Sequence, residues 1–150
     1  MKIKKFFAIP CALALCLLSC FTACGGGQAV KATLLHGEGD LIILRADETD
    51  TGKSVFDALQ AFAQEESISL TYEMGDYGAM ITSVNGVSLT QANEFWAVYT
   101  SLETYEGVSY SSTQYGTYGY GGQTLGSASY GVSYLPLVEG EIYVITVGSF

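Results

Sequence analysis

The sequence predicts an α+β fold: a mixed β-sheet with one covering helix and a hairpin insertion rich in tyrosine, glycine and serine. Three observations carry this. Short β-prone runs bounded by glycine recur from Ala29 to Val147, and one stretch, Ser54 to Gln64, has helical periodicity. Eight of the eleven tyrosines fall between Tyr99 and Tyr134.

The chain opens on an address. Met1 to Lys5 is basic, and Phe6 to Leu18 is an apolar run of about 13 residues interrupted only by Pro10. That is too short to cross a bilayer and has the length and flanks of a secretory signal. All four cysteines, Cys11, Cys16, Cys20 and Cys24, lie here. The segment Phe21-Thr22-Ala23-Cys24-Gly25-Gly26-Gly27 resembles a bacterial lipoprotein signal, which implies cleavage before a cysteine that carries diacylglycerol. The expected organisation is therefore a signal peptide over 1–23, lipidated Cys24 with a Gly-rich tether over 24–28, and a folded domain over 29–150. Leu17-Leu18-Ser19-Cys20 is a competing site. A multiply acylated cysteine is enough for stable anchoring, so the membrane is an expected partner and the extracellular face of the cell membrane the expected location.

After the tether, Ala29–Leu35 and Leu41–Leu44 read as two strands joined by a turn over His36-Gly37-Glu38-Gly39-Asp40. The continuous apolarity of Leu41–Leu44 predicts a strand covered on both faces, or one that twists under a helix. Ala46–Gly52 reads as a polar loop. Ser54, with Asp57 three residues on, is a variant capping box, and Val55, Phe56, Leu59, Phe62 and Ala63 form one apolar helical stripe. Glu65 and Glu66 oppose the macrodipole at the C-terminal end and mark the stop. Ile68, Leu70 and Tyr72 alternate with polar residues as a half-buried strand, and Gly75-Asp76-Tyr77-Gly78 turns the chain. Met80–Val84 then reads as a strand ending at Asn85-Gly86, the strongest hairpin dipeptide, with Phe95–Tyr99 expected as its returning partner. Glu141–Val147, after a turn at Pro136 to Gly140, closes the chain as a strand. Strand, strand, helix, strand, strand, with one helix to cover a mixed sheet, is a β-grasp-like order.

Charge narrows the partners. Beyond the N-terminus only Lys31, Arg45 and Lys53 face fifteen acids, a net −12, which repels phosphate backbones and excludes nucleic acid as an expected partner. With charged residues at 14 % and aromatics at 13 %, the chain is not an acidic disordered tail. Cysteine chemistry is absent from the region after Cys24. His36, the only histidine, lies in a glycine-rich turn, and Asp47, Glu48 and Asp50 do not follow EF-hand spacing, so no metal is expected. Fifteen acids always offer some carboxylate pair, but no spacing singles one out. The expectation is a binding protein, not an enzyme, with no cofactor.

The tyrosine-rich segment has the composition of antibody binding loops, where tyrosine gives contact area at low entropic cost and glycine and serine give adaptability. Tyr99, Tyr115, Tyr118, Tyr120, Tyr130 and Tyr134, with Trp96, are the candidate ligand contacts. Packing of these rings on one another is the alternative. The expected partner is a small molecule, or else a surface protein or glycan met by an adhesive module.

Three landmarks together carry a family resemblance: Gly78-Ala79-Met80-Ile81-Thr82-Ser83-Val84-Asn85-Gly86, Phe95-Trp96-Ala97-Val98-Tyr99-Thr100, and Leu135-Pro136-Leu137-Val138-Glu139-Gly140, preceded by the helix of Ser54–Leu59. Over roughly Ala29 to Val147 the chain resembles the transcobalamin-like C-terminal domain of bacterial surface lipoproteins, which is similar to the smaller β-domain of animal transcobalamins and intrinsic factor. That resemblance implies a corrinoid such as cobalamin as ligand, with the region after Trp96 and the segment from Gly126 and Ser127 to Leu135 and Pro136 as the contact surface.

Overall fold

The computed structural model describes residues 29–150; the expected signal peptide, lipidated Cys24 and tether lie outside the described residues. Among the described residues, no helix is long and apolar enough to cross a membrane. In chain order the elements are β1 (Ala32–Glu38), β2 (Leu41–Ala46), β3 (Asp50–Ser54), α1 (Val55–Gln64), β4 (Leu70–Gly75), β5 (Gly78–Val84) and β6 (Val87–Ser88). They continue with β7 (Glu94–Thr100), β8 (Thr104–Tyr105), β9 (Val108–Ser109), β10 (Ser111–Tyr120), β11 (Gln123–Ala128), β12 (Pro136–Leu137) and β13 (Ile142–Ser149). The α+β class is as expected, with one helix among mostly strands.

A six-stranded sheet of order β1-β2-β13-β7-β11-β10 forms the body, with a three-stranded sheet β4-β5-β6 and two small ribbons, β12-β3 and β8-β9. The expected sheet was mixed; every pairing among the described residues is antiparallel. The reason is topological. The helix does not carry the chain to a parallel neighbour in the same sheet, as a crossover would; it leads into β4 of the separate small sheet.

Three local expectations also shift. The β1–β2 turn is tighter than the sequence suggested, so that His36 and Gly37 are strand residues and only Gly39 and Asp40 turn. The end of the supposed polar loop, Asp50–Gly52, belongs to strand β3, held by β12. Most consequential is the hairpin at Asn85-Gly86. Its turn forms, with φ of +49° and +78°, the left-handed pair that a type I′ turn requires. But such a turn pairs the residues directly flanking it, so Val84 faces Val87 and the returning strand is β6, two residues long. Phe95–Tyr99 does not pair with Met80–Val84. It lies in β7, where all seven residues register with β13, from Glu94 opposite Ser149 to Thr100 opposite Tyr143.

Alternation on the central strands builds two cores. Tyr143 and Ile145 of β13 register with Leu44 and Ile42 of β2, and all four point to the helix side, into the main cluster with Val55, Phe56, Leu59 and Phe62 of α1. Each such side chain contributes about 1.5–3 kcal/mol when fully buried. Ile142, Val144 and Ile43 point the other way, where Leu125 of β11 completes a second cluster and Leu41, Tyr99, Tyr118 and Tyr120 pack against it. The two-faced burial expected of Leu41–Leu44 is thus met.

The helix start is fixed as its sequence suggests. Ser54 Oγ accepts from the Asp57 N–H at 3.3 Å while the Ser54 N–H donates to Asp57 Oδ2 at 2.7 Å, closing the capping box. The next two N–H groups, of Val55 and Phe56, donate to the carbonyls of Leu135 and Val132. This docks the segment before β12 onto the helix end.

Candidate functional site

A concavity of about 720 Å³ lies between the β4–β5 hairpin and the first half of β7. Its volume is in the range of small-molecule sites. One wall is the hairpin from Glu73 to Thr82, the facing wall is Glu94, Phe95, Trp96 and Val98, and Ser88, Leu89, Gly131 and Val132 close the ends. Its interior face continues the main core: Ile81 and Val132 are buried there, and Ala79, Trp96 and Val98 pack against them.

The rim is open, and large apolar side chains stand exposed on it among acidic ones. Met74 is 66 % exposed, Met80 61 % and Tyr77, at the hairpin turn, 91 %. Singly exposed apolar residues need no explanation; these three all border one groove. Methionine, flexible and polarisable, suits surfaces that adapt to a ligand.

Two contacts hold the hairpin wall in place. The Ala79 N–H donates to Ser133 Oγ at 2.9 Å. Gly78, at φ +87°, lies so close to Ser133 that a Cβ would stand 2.6 Å from that side chain, a position open only to glycine on both counts. On the facing wall, Glu94 accepts from the Thr90 and Gln91 N–H groups at 2.7 and 3.0 Å. Those donors, Thr90 first, hold its carboxyl below the ordinary range. Trp96 carries the one unpartnered buried side-chain polar atom among the described residues: its Nε1 finds no acceptor. A buried orphan donor costs about 1–3 kcal/mol and is rare in a packed wall.

Of the residues singled out from sequence, only Trp96 lines this groove. Tyr99 lies on the same strand but on the opposite face, its ring 5.7 Å from that of Tyr118, and both, with Tyr120, cover the second cluster. The packing alternative describes these three. Gly126 is buried, with room for a Cβ denied by Ser112 at 3.0 Å, and Ser127 registers with Tyr99 in the sheet. The Tyr130 ring lies 5.5 Å from that of Tyr110, tilted by 52°. Tyr134, 54 % exposed, sits behind the groove wall against Gly78, and Tyr115, 82 % exposed, stands free on β10. The tyrosine-rich stretch is therefore mainly a hairpin, β10–β11, integrated into the large sheet, with a register shift between Ser112 and Thr117.

The sequence reading missed Met74, Tyr77, Met80, Leu89 and Phe95. The available signal was an exposed aromatic inside the Gly75-Asp76-Tyr77-Gly78 turn, flanked by two methionines. Among the described residues, no group of three or more His, Cys, Asp or Glu side chains comes together as metal ligands. Comparison with known families, with curated proteins and with solved structures found no match to this chain.

Proposed function

We propose that this protein is a lipid-anchored, extracellular binding protein that captures a bulky, largely apolar small molecule in the groove between the β4–β5 hairpin and β7. The observation that carries this is the exposure of Met74, Tyr77 and Met80 on the open rim above a cavity floored by core residues and Trp96. Such a cavity removes apolar ligand surface from water at about 25 cal/mol per Å². A corrinoid is the ligand class implied by the resemblance to the transcobalamin-like C-terminal domain, and the β-grasp-like relationship belongs to the same proposal. Titration calorimetry of the purified protein with cobalamin and cobinamide tests that class; absence of heat at ~100 μM ligand, a lenient threshold, removes corrinoids. Radiolabelled palmitate incorporation, lost in Cys24→Ala and retained in Cys20→Ala, tests the anchor.

A second reading, an adhesive module, rests on the free Tyr115 of β10 and the exposed Tyr130 and Tyr134. Binding to a cell-surface glycan array that is lost on Tyr115→Ser, with the groove intact, would favour it.

A further inference from the structure

We infer that the groove selects its ligand by charge, preferring a lipophilic cation over a neutral or anionic molecule of the same shape. This rests on the groove being the binding site proposed above, and goes further in naming the ligand chemistry. Three acidic side chains, Glu73, Asp76 and Glu94, are among its lining residues, and no basic residue is. The three basic residues of the described chain are all elsewhere. Lys31 and Arg45 are tied to Glu48 and Asp47 at the β1–β2 end, and Lys53 lies on β3. Glu94 is committed to the Thr90 and Gln91 N–H groups and keeps its negative charge through them. Glu73 and Asp76 stand on the exposed hairpin beside Met74 and Tyr77, with no ion pair among the described residues.

The aromatic lining adds a second attraction of the same sign. Tyr77 and Trp96 are aromatic residues of the groove lining, whereas the Phe95 ring is stacked on Phe150 at 4.6 Å. A cation against an aromatic face is favoured by the ring quadrupole, increasingly so when desolvated, whereas an anion is not. Acidic rim and aromatic wall therefore point to one chemistry: a delocalised or alkylated cation with an apolar body, such as a quaternary ammonium or phosphonium compound.

The test compares two ions of matched shape and opposite charge, tetraphenylphosphonium and tetraphenylborate, with neutral triphenylphosphine oxide as reference. Trp96 is the only tryptophan of the chain and lies in the wall, so its fluorescence reports occupancy directly. The phosphonium is expected to bind on the order of tenfold or more tighter than the borate at low salt, given rim charges interacting through solvent. That ratio is expected to fall towards one near 1 M salt, where the Debye length is about 3 Å. In the double variant E73Q/D76N the cation should lose several-fold in affinity while the neutral reference is unchanged. Equal or tighter binding of the borate, or a preference unmoved by E73Q/D76N, overturns the charge selectivity but leaves the groove. Failure of all three compounds to perturb Trp96 overturns the groove itself as a site.

Discussion

Asn85 ties together three parts of the molecule that are distant in sequence, and its replacement has a size that can be worked out. Its Nδ2 donates to the carbonyls of Gly37 and Gly39, each at 3.1 Å, and its Oδ1 accepts from the Ser69 N–H at 2.9 Å. Its backbone, at φ +49°, also donates to the Ser69 carbonyl. One side chain thus joins the β1–β2 turn, the entry to β4 and the hairpin that forms the groove wall. Each net hydrogen bond stabilises by about 0.5–1.5 kcal/mol, so three together contribute about 1.5–4.5 kcal/mol. Asn85→Gly removes these bonds but tolerates the positive φ. Asn85→Ala removes them and adds the left-handed penalty of about 1 kcal/mol that asparagine largely avoids. The expected order of stability is wild type, then Gly, then Ala, with Gly about 2–3 kcal/mol below wild type and Ala about 1 kcal/mol lower again. For a domain of this size the Gly variant should melt about 6–15 °C earlier. Thermal unfolding followed by far-UV circular dichroism, with urea titration at 25 °C as the second measure, reads both gaps. Losses under about 0.5 kcal/mol in both variants, or a Gly variant less stable than the Ala one, would refute the reasoning.

Further perturbations follow from other contacts. Tyr143 is fully buried, donates to the Pro136 carbonyl at 2.7 Å and accepts from the Val138 N–H at 3.1 Å; burial pushes its hydroxyl pKa far up. Tyr143→Phe orphans both groups and should cost about 1–3 kcal/mol in urea unfolding without changing the m-value. Ser54→Ala opens the capping box and should cost about 1 kcal/mol, read the same way. The carboxyls of Asp47 and Glu94 are held below their ordinary values of 3.8 and 4.5, Asp47 chiefly by the Thr33 hydroxyl and then Arg45, Glu94 by the Thr90 and Gln91 N–H groups. A depressed folded-state pKa stabilises above the unfolded value, and that stability is lost as pH falls through the folded one. The urea midpoint should therefore hold from pH 7 down to about 4.5 and decline below, with Thr33→Val shallowing the decline.

Legibility in the sequence followed the range of the interaction. The capping box at Ser54 and Asp57, the I′ turn at Asn85-Gly86 and the two-faced burial of Ile42 to Leu44 are each set within a few residues, and each formed as the residues indicate. The partner of Phe95-Trp96 was not local. Asn-Gly fixes a turn but not how far its ladder runs, and Leu89 to Asn93 leave the small sheet after only two paired residues. Seven-residue registry with β13 then decides where β7 belongs. The candidate site escaped for a related reason. Tyrosine counts say how many rings a segment has, not which face they occupy. Tyr99, Tyr118 and Tyr120 close a core, whereas Met74 and Met80 beside one exposed Tyr77 border the groove.

The position of β13 has a consequence for how the chain comes to be folded. It follows every other element in sequence, yet it lies between β2 and β7 near the middle of the large sheet and supplies residues to both clusters. A partly synthesised chain can form its local hairpins, but neither hydrophobic layer can close until this strand emerges. Such long-range closure is slow.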